Sequence, residues 1–462
     1  MQKTTPQDLV ERGLEQSTAD GCVVIVDRSS NANLRWANNT LTTNGVARGS
    51  TVTVISTVDG SSGTAAASLS RSASALDEVA ALVERADRSA REASPADDAA
   101  PLIDGEADDD WSAAAETTTI DVLEPVARQL GNAFARARSS DRLLFGYAEH
   151  DLTTTYLGSS TGLRRRHVQP GGHIGITGKD STLTRSAWVG QSTRDFADVD
   201  ALALDSELDR RLGWAQRSVD LDAGRYDTVL PPTAVADLMI YAYWSAGGRE
   251  AYDGQSVFSR PGGGTRIGDR LSDRPVQVFS DPAAPGLECS PFAVEHASAS
   301  SSSVFDNGLP LHRTNWVADG ELRALRQSRH SAALSGHDAT PGIENLLVEV
   351  DDATGTTEEL VADVERGLLL TCLWYIREVD AQTLLLTGLT RDGVYLVENG
   401  EITGAVNNFR FNESPVDLLD RFSHAGASVP SFSREWGDEF LRTSTPALRV
   451  PDFNMSSVSQ AR

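Results

Sequence analysis

The pattern of apolar and polar residues in the last hundred positions predicts a succession of short strands. Residues 368–376 and 383–386 are apolar runs whose length suits buried strands better than helices. Residues 393–397 alternate between two faces, and an Asn-Gly pair at 399–400 provides the residues that two-residue hairpin turns favour. Residues 402–406 form the expected returning strand. This part of the chain therefore indicates the core of a β-rich domain.

The next segment, residues 407–413, alternates amides and an arginine with Phe409 and Phe411. Such alternation is typical of a strand with one packed and one polar face. We expect the polar face to hold the backbone of an extended peptide, with a solvated strand face as the alternative. The residues of this predicted peptide-binding face are Asn407, Asn408, Arg410 and Asn412. A short helix is predicted to follow at 416–422.

The first half of the chain combines helical and strand patterns. Amphipathic helices are predicted at 7–16, 75–93, 120–137 and 201–217. Strands are predicted at 22–26, 33–37, 51–58 and 64–69, with turns at 38–39, 44–45 and 60–63, and further short strands over 142–189 with turns at 158–162 and 170–172. Residues 94–110 carry acidic residues, no basic residue and two prolines, which indicates a solvated loop or an acidic docking segment.

Residues 234–246 form a predicted helix that is apolar on nearly every side, so it must be buried. The change from helical to strand sequence near residue 222 predicts two domains, 1–222 and 223–462. The fold class is α+β. The first domain is expected to be an antiparallel sheet with helices, and the second a β-rich domain that holds the one buried helix.

The amino-acid composition limits the partners and the cellular compartment that suit this chain. The 41 Lys and Arg against 66 Asp and Glu give a net charge of -25, which disfavours nucleic acid and anionic membranes as partners. The three cysteines are far apart, which indicates a reducing compartment rather than a disulfide framework. No apolar run approaches the roughly 20 residues of a membrane span, and the N-terminus lacks the apolar region of a secretion signal. We expect a cytoplasmic protein.

Several short strings invite a chemical interpretation, and each is weak. Residues 158–162 match the GxSxG string of serine hydrolases, but the sequence that follows indicates a strand, so a hairpin turn is the better interpretation. His167 and His173 could face each other across a hairpin, which would be half a metal site. Cys289, Glu295 and His296 are close in sequence but lack a fourth ligand.

The order of these segments resembles the TldD/PmbA family. The resemblance rests on the C-terminal series of apolar strand, Thr-Gly, aromatic strand, Glu-Asn-Gly-Glu turn, return strand and short Leu-rich helix. The resemblance extends upstream through five short segments, which are residues 36–39, 157–162, 256–258, 267–268 and 278–282. The specificity lies in the order and spacing of these pieces over some four hundred residues. The family pairs a zinc-bearing peptidase subunit, TldD, with a metal-free relative, TldE or PmbA.

This resemblance implies that a peptidase subunit would carry two His and a Glu on the buried helix, and a thiolate ligand in the C-terminal strand region. Here the helix contains no His and no Glu, and without imidazole partners Cys372 is interpreted as a buried apolar residue. Residues 293–296 also depart from the Asp-Glu-Gly string that is usual there. The resemblance therefore implies a TldE/PmbA-type subunit with no catalytic residue, metal or cofactor of its own.

The implied partners are a TldD-type subunit that supplies zinc and an extended peptide substrate, with a homodimer as the form in isolation. Two alternatives stay open. One is a self-contained peptidase with an unrecognised site, such as Cys372 with a distant His. The other is a peptide-binding module without a peptidase partner.

Overall fold

The computed structural model of the protein describes residues 4–459. The α-helices are α1 (Pro6–Gln16), α2 (Leu76–Glu92), α3 (Glu124–Ser139), α4 (Ala201–Trp214), α5 (Pro232–Trp244), α6 (Gly248–Tyr252), α7 (Arg329–Ser335), α8 (Thr357–Ala362) and α9 (Pro415–Arg421), and short 3-10 helices cover Ile120–Leu123 and Val304–Asp306.

The strands of the first half are β1 (Gly21–Ala37), β2 (Thr40–Gly60), β3 (Gly63–Ser72), β4 (Arg142–Ser159), β5 (Arg164–Asp180), β6 (Ser186–Thr193) and β7 (Ser218–Val219). Those of the second half are β8 (Gly224–Leu230), β9 (Val276–Ser280), β10 (Thr314–Ala318), β11 (Glu321–Leu322), β12 (Leu346–Val350), β13 (Arg366–Leu370), β14 (Leu373–Asp380), β15 (Leu385–Thr390), β16 (Val394–Glu398), β17 (Glu401–Val406), β18 (Phe409–Glu413), β19 (His424–Ala425), β20 (Val429–Ser431), β21 (Thr443–Thr445) and β22 (Leu448–Val458).

The first half forms an antiparallel sheet with the strand order β3-β2-β1-β4-β5-β6. Apolar residues at alternate positions of its strands face helices. Val24 and Val52 pack against α1 and α2, while Leu34 and Ile176 share a core with α3 and α4. Because side chains alternate along a strand, the opposite face of the sheet is left for the second half of the chain.

The second half contains two further sheets around helix α5. One sheet has the order β11-β10-β9-β12-β21-β20, and the other follows the path β14-β15-β18-β22-β8-β13-β16-β17-β7. Leu238 and Ile240 of α5 belong to one core with Val278 of the first sheet and Phe453 of the second. Contact on both sides explains why the helix is apolar all round. The α+β fold with its one enclosed helix is thus confirmed.

The two halves meet on the second face of the N-terminal sheet. Val23 and Ile25 of β1 pack against Val304 and Phe305. Farther along, the His296 ring lies 3.0 Å from the Thr53 hydroxyl, with Nδ1 as the closest atom. Strand β7 precedes residue 222 and yet pairs with β17, so the chain enters the C-terminal sheet at Ser218. The division at residue 222 stays a prediction.

Several predicted turns and strands need correction. Residues 44–45 and 170–172 lie inside the long strands β2 and β5 instead of in turns. The apolar run 368–376 is divided into β13 and β14 by Thr371 and Cys372. In the run 383–386, the first two residues belong to a turn and the last two begin β15.

The acidic segment 94–110 is irregular and mostly exposed to solvent, as predicted, and it is also anchored to β5. Asp108 and Asp110 form ion pairs of 2.8 and 2.7 Å with Arg165 and Arg166 of β5. Among residues 4–459, no helix combines the length and apolar character needed to cross a bilayer.

Candidate functional site

The candidate site is a cavity of about 650 Å³ between the N-terminal sheet and the loop that joins β20 to β21. Its walls come from β1, β4, β5 and β6 on one side, and from β14 and residues 432–438 on the other. We call residues 432–442 the cavity loop. Because β20 and β21 pair with each other, the cavity loop is the connection of a hairpin and reaches across to the first half.

A row of stacked planar groups, the ring ladder, lines this cavity. The His173 and Phe432 rings stack at 5.3 Å with planes 20° apart, and Phe432 stacks on Trp188 at 6.0 Å. The guanidinium of Arg434 then lies 4.7 Å from the Trp188 ring and 4.6 Å from the Trp374 ring. From His173 to Arg434 the ladder alternates between groups from the two halves of the chain, and Trp374 adds a further group from the second half. The site therefore exists only where the halves meet.

The strand register explains how the N-terminal sheet contributes to the ladder. Glu149 of β4 is paired with His173 of β5, and Thr177 of β5 with Trp188 of β6. His173 and Trp188 therefore project from the same face. Gly190 leaves room for these rings, because a Cβ atom there would lie 2.7 Å from Phe432 Cδ1 and would also overlap the Trp188 ring.

An acidic group borders the same face next to the ladder. Tyr147, Glu149 and Asp151 alternate along β4, and the Tyr147 hydroxyl donates a hydrogen bond to Glu149. Burial and the adjacent Glu149 carboxylate raise the pKa of Asp151 to about 7. Burial also lowers the pKa of His173, against the opposing effect of Asp438 and Glu149. Near pH 7 this imidazole is therefore neutral and stacks as an uncharged ring.

Helix α5 holds the cavity loop in place through one buried carboxyl group. Asp237 accepts hydrogen bonds from the Ser433 hydroxyl at 2.5 Å and from the backbone N–H of Glu435 at 2.9 Å. The indole N–H of Trp436 donates to the Asp237 carbonyl at 2.9 Å. Burial raises the pKa of Asp237 to about 7, and its Oδ2 atom has no hydrogen-bond partner in the described chain.

The remaining side chains at the end of α5 build an aromatic cluster. Tyr241 lies 5.7 Å from Trp436, Tyr243 lies 5.4 Å from Trp316, and Trp244 lies 5.1 Å from Trp436, measured between ring centroids. The Tyr243 hydroxyl also donates to the Ile343 carbonyl at 2.8 Å. These side chains are committed to packing.

The residues around α5 do not fit the zinc site that the family resemblance would require in a peptidase subunit. Zinc needs several imidazole, thiolate or carboxylate donors aimed at one point. Helix α5 supplies no imidazole, and burial raises the pKa of the Cys372 thiol to about 12, which keeps it protonated. Within residues 4–459, no group of three or more His, Cys, Asp and Glu side chains is arranged to hold a metal.

The predicted peptide-binding residues lie apart from the cavity walls. Arg410 is exposed, and Asn412 accepts hydrogen bonds from the hydroxyls of Thr387 (2.9 Å) and Ser456 (3.1 Å) on the neighbouring strands. Asn407 precedes β18 and accepts from the Leu221 N–H at 2.6 Å, where it joins the segment after β7 to the sheet.

Strand β18 lies between β15 and β22, so its own backbone is paired on both edges. A peptide could contact this face only through side chains. The Asn408 carbonyl accepts a hydrogen bond from Ser459 at the start of the strand. The proposed binding role of Asn407, Asn408, Arg410 and Asn412 stays a prediction.

The other candidate residues are dispersed. His167 and His173 lie on one strand, paired with Thr155 and Glu149, so they do not face each other across a turn. His296 contacts Asp27 and Thr53, while Cys289 belongs to a separate small core. Of the predicted turn at 158–162, residues 160–162 form the turn between β4 and β5, whereas 158 and 159 are the last residues of β4.

The ring ladder was not predicted. Its members come from four segments, 173, 188, 374 and 432–434, and none of these has a local pattern that signals a site. The single available signal was the density of aromatic and charged residues in the segment 432–442.

Comparisons with known proteins place the chain in a family. A family model described as the PmbA/TldA metallopeptidase C-terminal domain matches residues 223–457. No curated protein matches the chain in sequence. The matched segment begins next to β8 and ends within β22, so it includes α5, the cavity loop and both C-terminal sheets.

Solved structures extend the similarity over the whole chain. TldE from Thermococcus kodakarensis has a TM-score of 0.74 at 16% identity, covering 97% of this chain and 99% of its own. A Thermotoga maritima protein described as a candidate modulator of DNA gyrase has a TM-score of 0.76 at 15% identity, covering 97% and 100%. A Bacteroides thetaiotaomicron protein with the same description has a TM-score of 0.74 at 15% identity, covering 98% of both chains. These likenesses establish the fold.

Proposed function

The chain belongs to the PmbA/TldD family of metallopeptidase-related proteins, and from this we propose that it is the TldE-type, non-catalytic subunit of a TldD-type peptidase complex. In this proposal the partner subunit supplies the zinc and the groups that hydrolyse the peptide. The present chain helps to enclose and hold an extended peptide or an unfolded segment. We propose that the complex is cytoplasmic, in keeping with the sparse cysteines.

The observation that carries the proposal is the way in which helix α5 is used. Tyr241, Tyr243 and Trp244 pack against Trp436, Trp316 and Phe440. The one carboxylate of the helix, Asp237, holds the cavity loop. Because the side chains of α5 pack against other aromatic residues or anchor the cavity loop, this helix supports a structural role for the subunit.

The interdomain cavity supports a role in substrate handling. It is of the size that protein pockets use for small ligands, and it is lined by aromatic rings with a few charged groups. A subunit of this kind accelerates cleavage by positioning the peptide and excluding water, without adding a catalytic group.

The self-contained peptidase is the weaker alternative. Its nucleophile would be Cys372, which is 1% exposed and whose thiol pKa burial raises to about 12. A thiol acts as a nucleophile only when it is deprotonated and reachable. The remaining alternative, a peptide-binding module without a peptidase partner, differs from the proposal in one measurable respect, the requirement for a second chain.

Co-expression with a TldD-type protein tests the proposal. We expect the two chains to elute together in size exclusion at moderate salt, because obligate interfaces typically bury more than about 2,000 Å². Cleavage of an unfolded reporter peptide should require both chains and should be abolished by substitution of the partner's zinc ligands. Cleavage by this chain alone, abolished by Cys372→Ala, would replace the proposal with the self-contained enzyme.

A further inference from the structure

We propose that Arg434 is a receptor for a peptide carboxylate within the interdomain cavity. The proposal rests on the proposed function for the class of ligand, a peptide. It goes beyond that function in naming the chemical group that is recognised and the residue that recognises it.

The first observation is the rigid position of the Arg434 side chain. Its guanidinium contacts two indole rings, with its central carbon 4.7 Å from the Trp188 centroid and 4.6 Å from the Trp374 centroid. These contacts restrict the side chain, and because Nε is buried, the terminal N–H groups are the donors that a ligand in the cavity could meet. A planar cation fixed in this way has lost its conformational freedom before the ligand arrives, which favours binding.

The second observation is that the nearby carboxylates are engaged elsewhere. Glu435 accepts hydrogen bonds from the N–H groups of Tyr375 (2.8 Å) and Ile376 (3.0 Å) and forms an ion pair of 3.2 Å with Arg377. Asp237 accepts from Ser433 and from the Glu435 N–H.

No carboxylate oxygen in the described chain lies within the 4.0 Å ion-pair distance of the Arg434 guanidinium, and its buried Nε has no acceptor there. The neighbouring Cys372 thiol, kept protonated by burial, adds no charge. Arg434 interacts electrostatically with the Asp237 carboxyl, which lies beyond ion-pair distance and whose raised pKa of about 7 leaves it partly protonated near pH 7. A half-buried guanidinium with no ion-pair partner is costly to keep, because burial removes part of its hydration.

The third observation is the character of the cavity around Arg434. The ring ladder provides apolar walls, and Gly437 packs closely against the Phe432 ring of the ladder. The other charged groups on its walls are Arg35, Glu435 and Asp438, of which Asp438 lies 3.5 Å from His173 at the far end of the ladder. A carboxylate matches the guanidinium edge because two oxygens can accept two parallel N–H bonds.

A peptide offers this carboxylate at its C-terminus or on an Asp or Glu side chain. Three pentapeptides that carry an uncharged BODIPY fluorophore at the N-terminus distinguish these sources: Ala-Leu-Ala-Leu-Ala with a free C-terminus, the same peptide amidated, and amidated Ala-Leu-Ala-Leu-Glu. Binding to the purified full chain is measured by fluorescence anisotropy. We expect at least one carboxylate-bearing peptide to bind about tenfold or more tightly than the amidated neutral peptide. The peptide that does so identifies the source.

Two variants and a matched control assign the effect to Arg434. Arg434→Met keeps an unbranched side chain beside the indoles and should remove the preference for the carboxylate, whereas Arg434→Lys should retain part of it. Arg210→Met is the control, since Arg210 also stacks on an indole, 5.0 Å from the Trp214 ring, but lies outside the cavity and is paired with Glu207. The control should bind all three peptides as the natural chain does. Circular dichroism and thermal midpoints verify that each variant is folded.

The proposal is overturned if none of the peptides binds, if the amidated peptide binds as tightly as both carboxylate peptides, or if folded Arg434→Met keeps the preference. These outcomes are separate from the test of the proposed function. A carboxylate preference that depends on Arg434 in a chain that forms no peptidase complex would support the receptor and refute the subunit. If a complex cleaves peptides and Arg434→Met does not change its activity, the subunit assignment is supported and the receptor is refuted.

Discussion

The carboxyl group of Asp237 accepts a 2.5 Å hydrogen bond from the Ser433 hydroxyl, and this contact joins the buried helix α5 to the cavity loop. Asp237 is fully buried, and Ser433 is also inaccessible to solvent. The residue beside Ser433 is Arg434, so the position of the proposed receptor depends on the internal helix. The position of the cavity loop and the ionisation of helix α5 are therefore linked through the Asp237 carboxyl group.

This link predicts a pH-dependent effect of Asp237→Asn. The pKa of Asp237 is raised to about 7 in the folded state, against about 3.9 in an unfolded chain. A raised carboxyl pKa stabilises the fold fully below about pH 4, and this contribution is lost as the pH rises toward 7.

Asparagine keeps an oxygen for the bond from Ser433 and cannot ionise. The variant should therefore gain stability relative to the natural chain as the pH rises from 4 to 7, by up to about 4 kcal/mol. Urea unfolding of both proteins at several pH values measures this difference. A difference that is the same at every pH would show that ionisation of Asp237 is not linked to stability.

We predict that the purified chain holds no stoichiometric zinc. Helix α5 offers aromatic side chains where donors would be needed, and the Cys372 thiol is protonated. Elemental analysis after dialysis without chelator measures the zinc content, with a TldD-type protein as the positive control. Cys372→Ala should leave the value unchanged. One tightly held zinc per chain would contradict the assignment of this subunit as non-catalytic.

The close packing at Gly190 predicts that Gly190→Ala disrupts the ring ladder. The new methyl group would overlap the Trp188 and Phe432 rings, which are held by their neighbours and have little room to move. We expect a loss of about 1–3 kcal/mol in the free energy of unfolding and altered tryptophan fluorescence.

The matched control for this change is Gly213→Ala in α4. A Cβ atom there has no neighbour within 4 Å, and alanine favours a helix by about 1 kcal/mol relative to glycine. The control should be as stable as the natural chain or more so. Equal stability of the two variants would mean that the rings can shift without cost.

The exposed face of β18 supplies a separate prediction. Replacing Asn408 and Arg410 by Ala should weaken peptide processing by the complex, because these side chains border an open surface of the sheet. The thermal midpoint should change little, since Arg410 is exposed and its strand remains paired on both edges. Reporter cleavage and thermal unfolding are measured on the same preparation. Normal processing with a large loss of stability would make this face structural.

The sequence predicted elements whose signals are local. The Asn399-Gly400 turn is present, with positive φ angles of 52° and 81° that this residue pair tolerates. Helix α5 was predicted as buried because its composition leaves no polar side. In both cases the residues themselves restrict the conformation.

Predictions from the sequence were wrong where tertiary contacts determine the backbone conformation. Gly172 was interpreted as part of a turn, but it lies inside β5, where a Cβ atom would meet the Glu149 carbonyl oxygen at 2.6 Å and Phe196 at 3.0 Å. The glycine is there for close packing, which a one-dimensional pattern cannot distinguish from a turn. The ring ladder was missed for a related reason, since Trp188 and Arg434 are brought together only by the meeting of the two halves.

The alternation of the ring ladder has a mechanical consequence. His173 and Trp188 belong to the first half, whereas Phe432, Arg434 and Trp374 belong to the second, so each of its contacts except the one between Arg434 and Trp374 crosses the boundary. A rigid rotation of one half away from the other would break these crossing contacts together. The ladder contacts therefore oppose separation of the two halves. A ligand that binds only while these contacts are formed raises the free energy of separation by RT ln(1 + [L]/Kd).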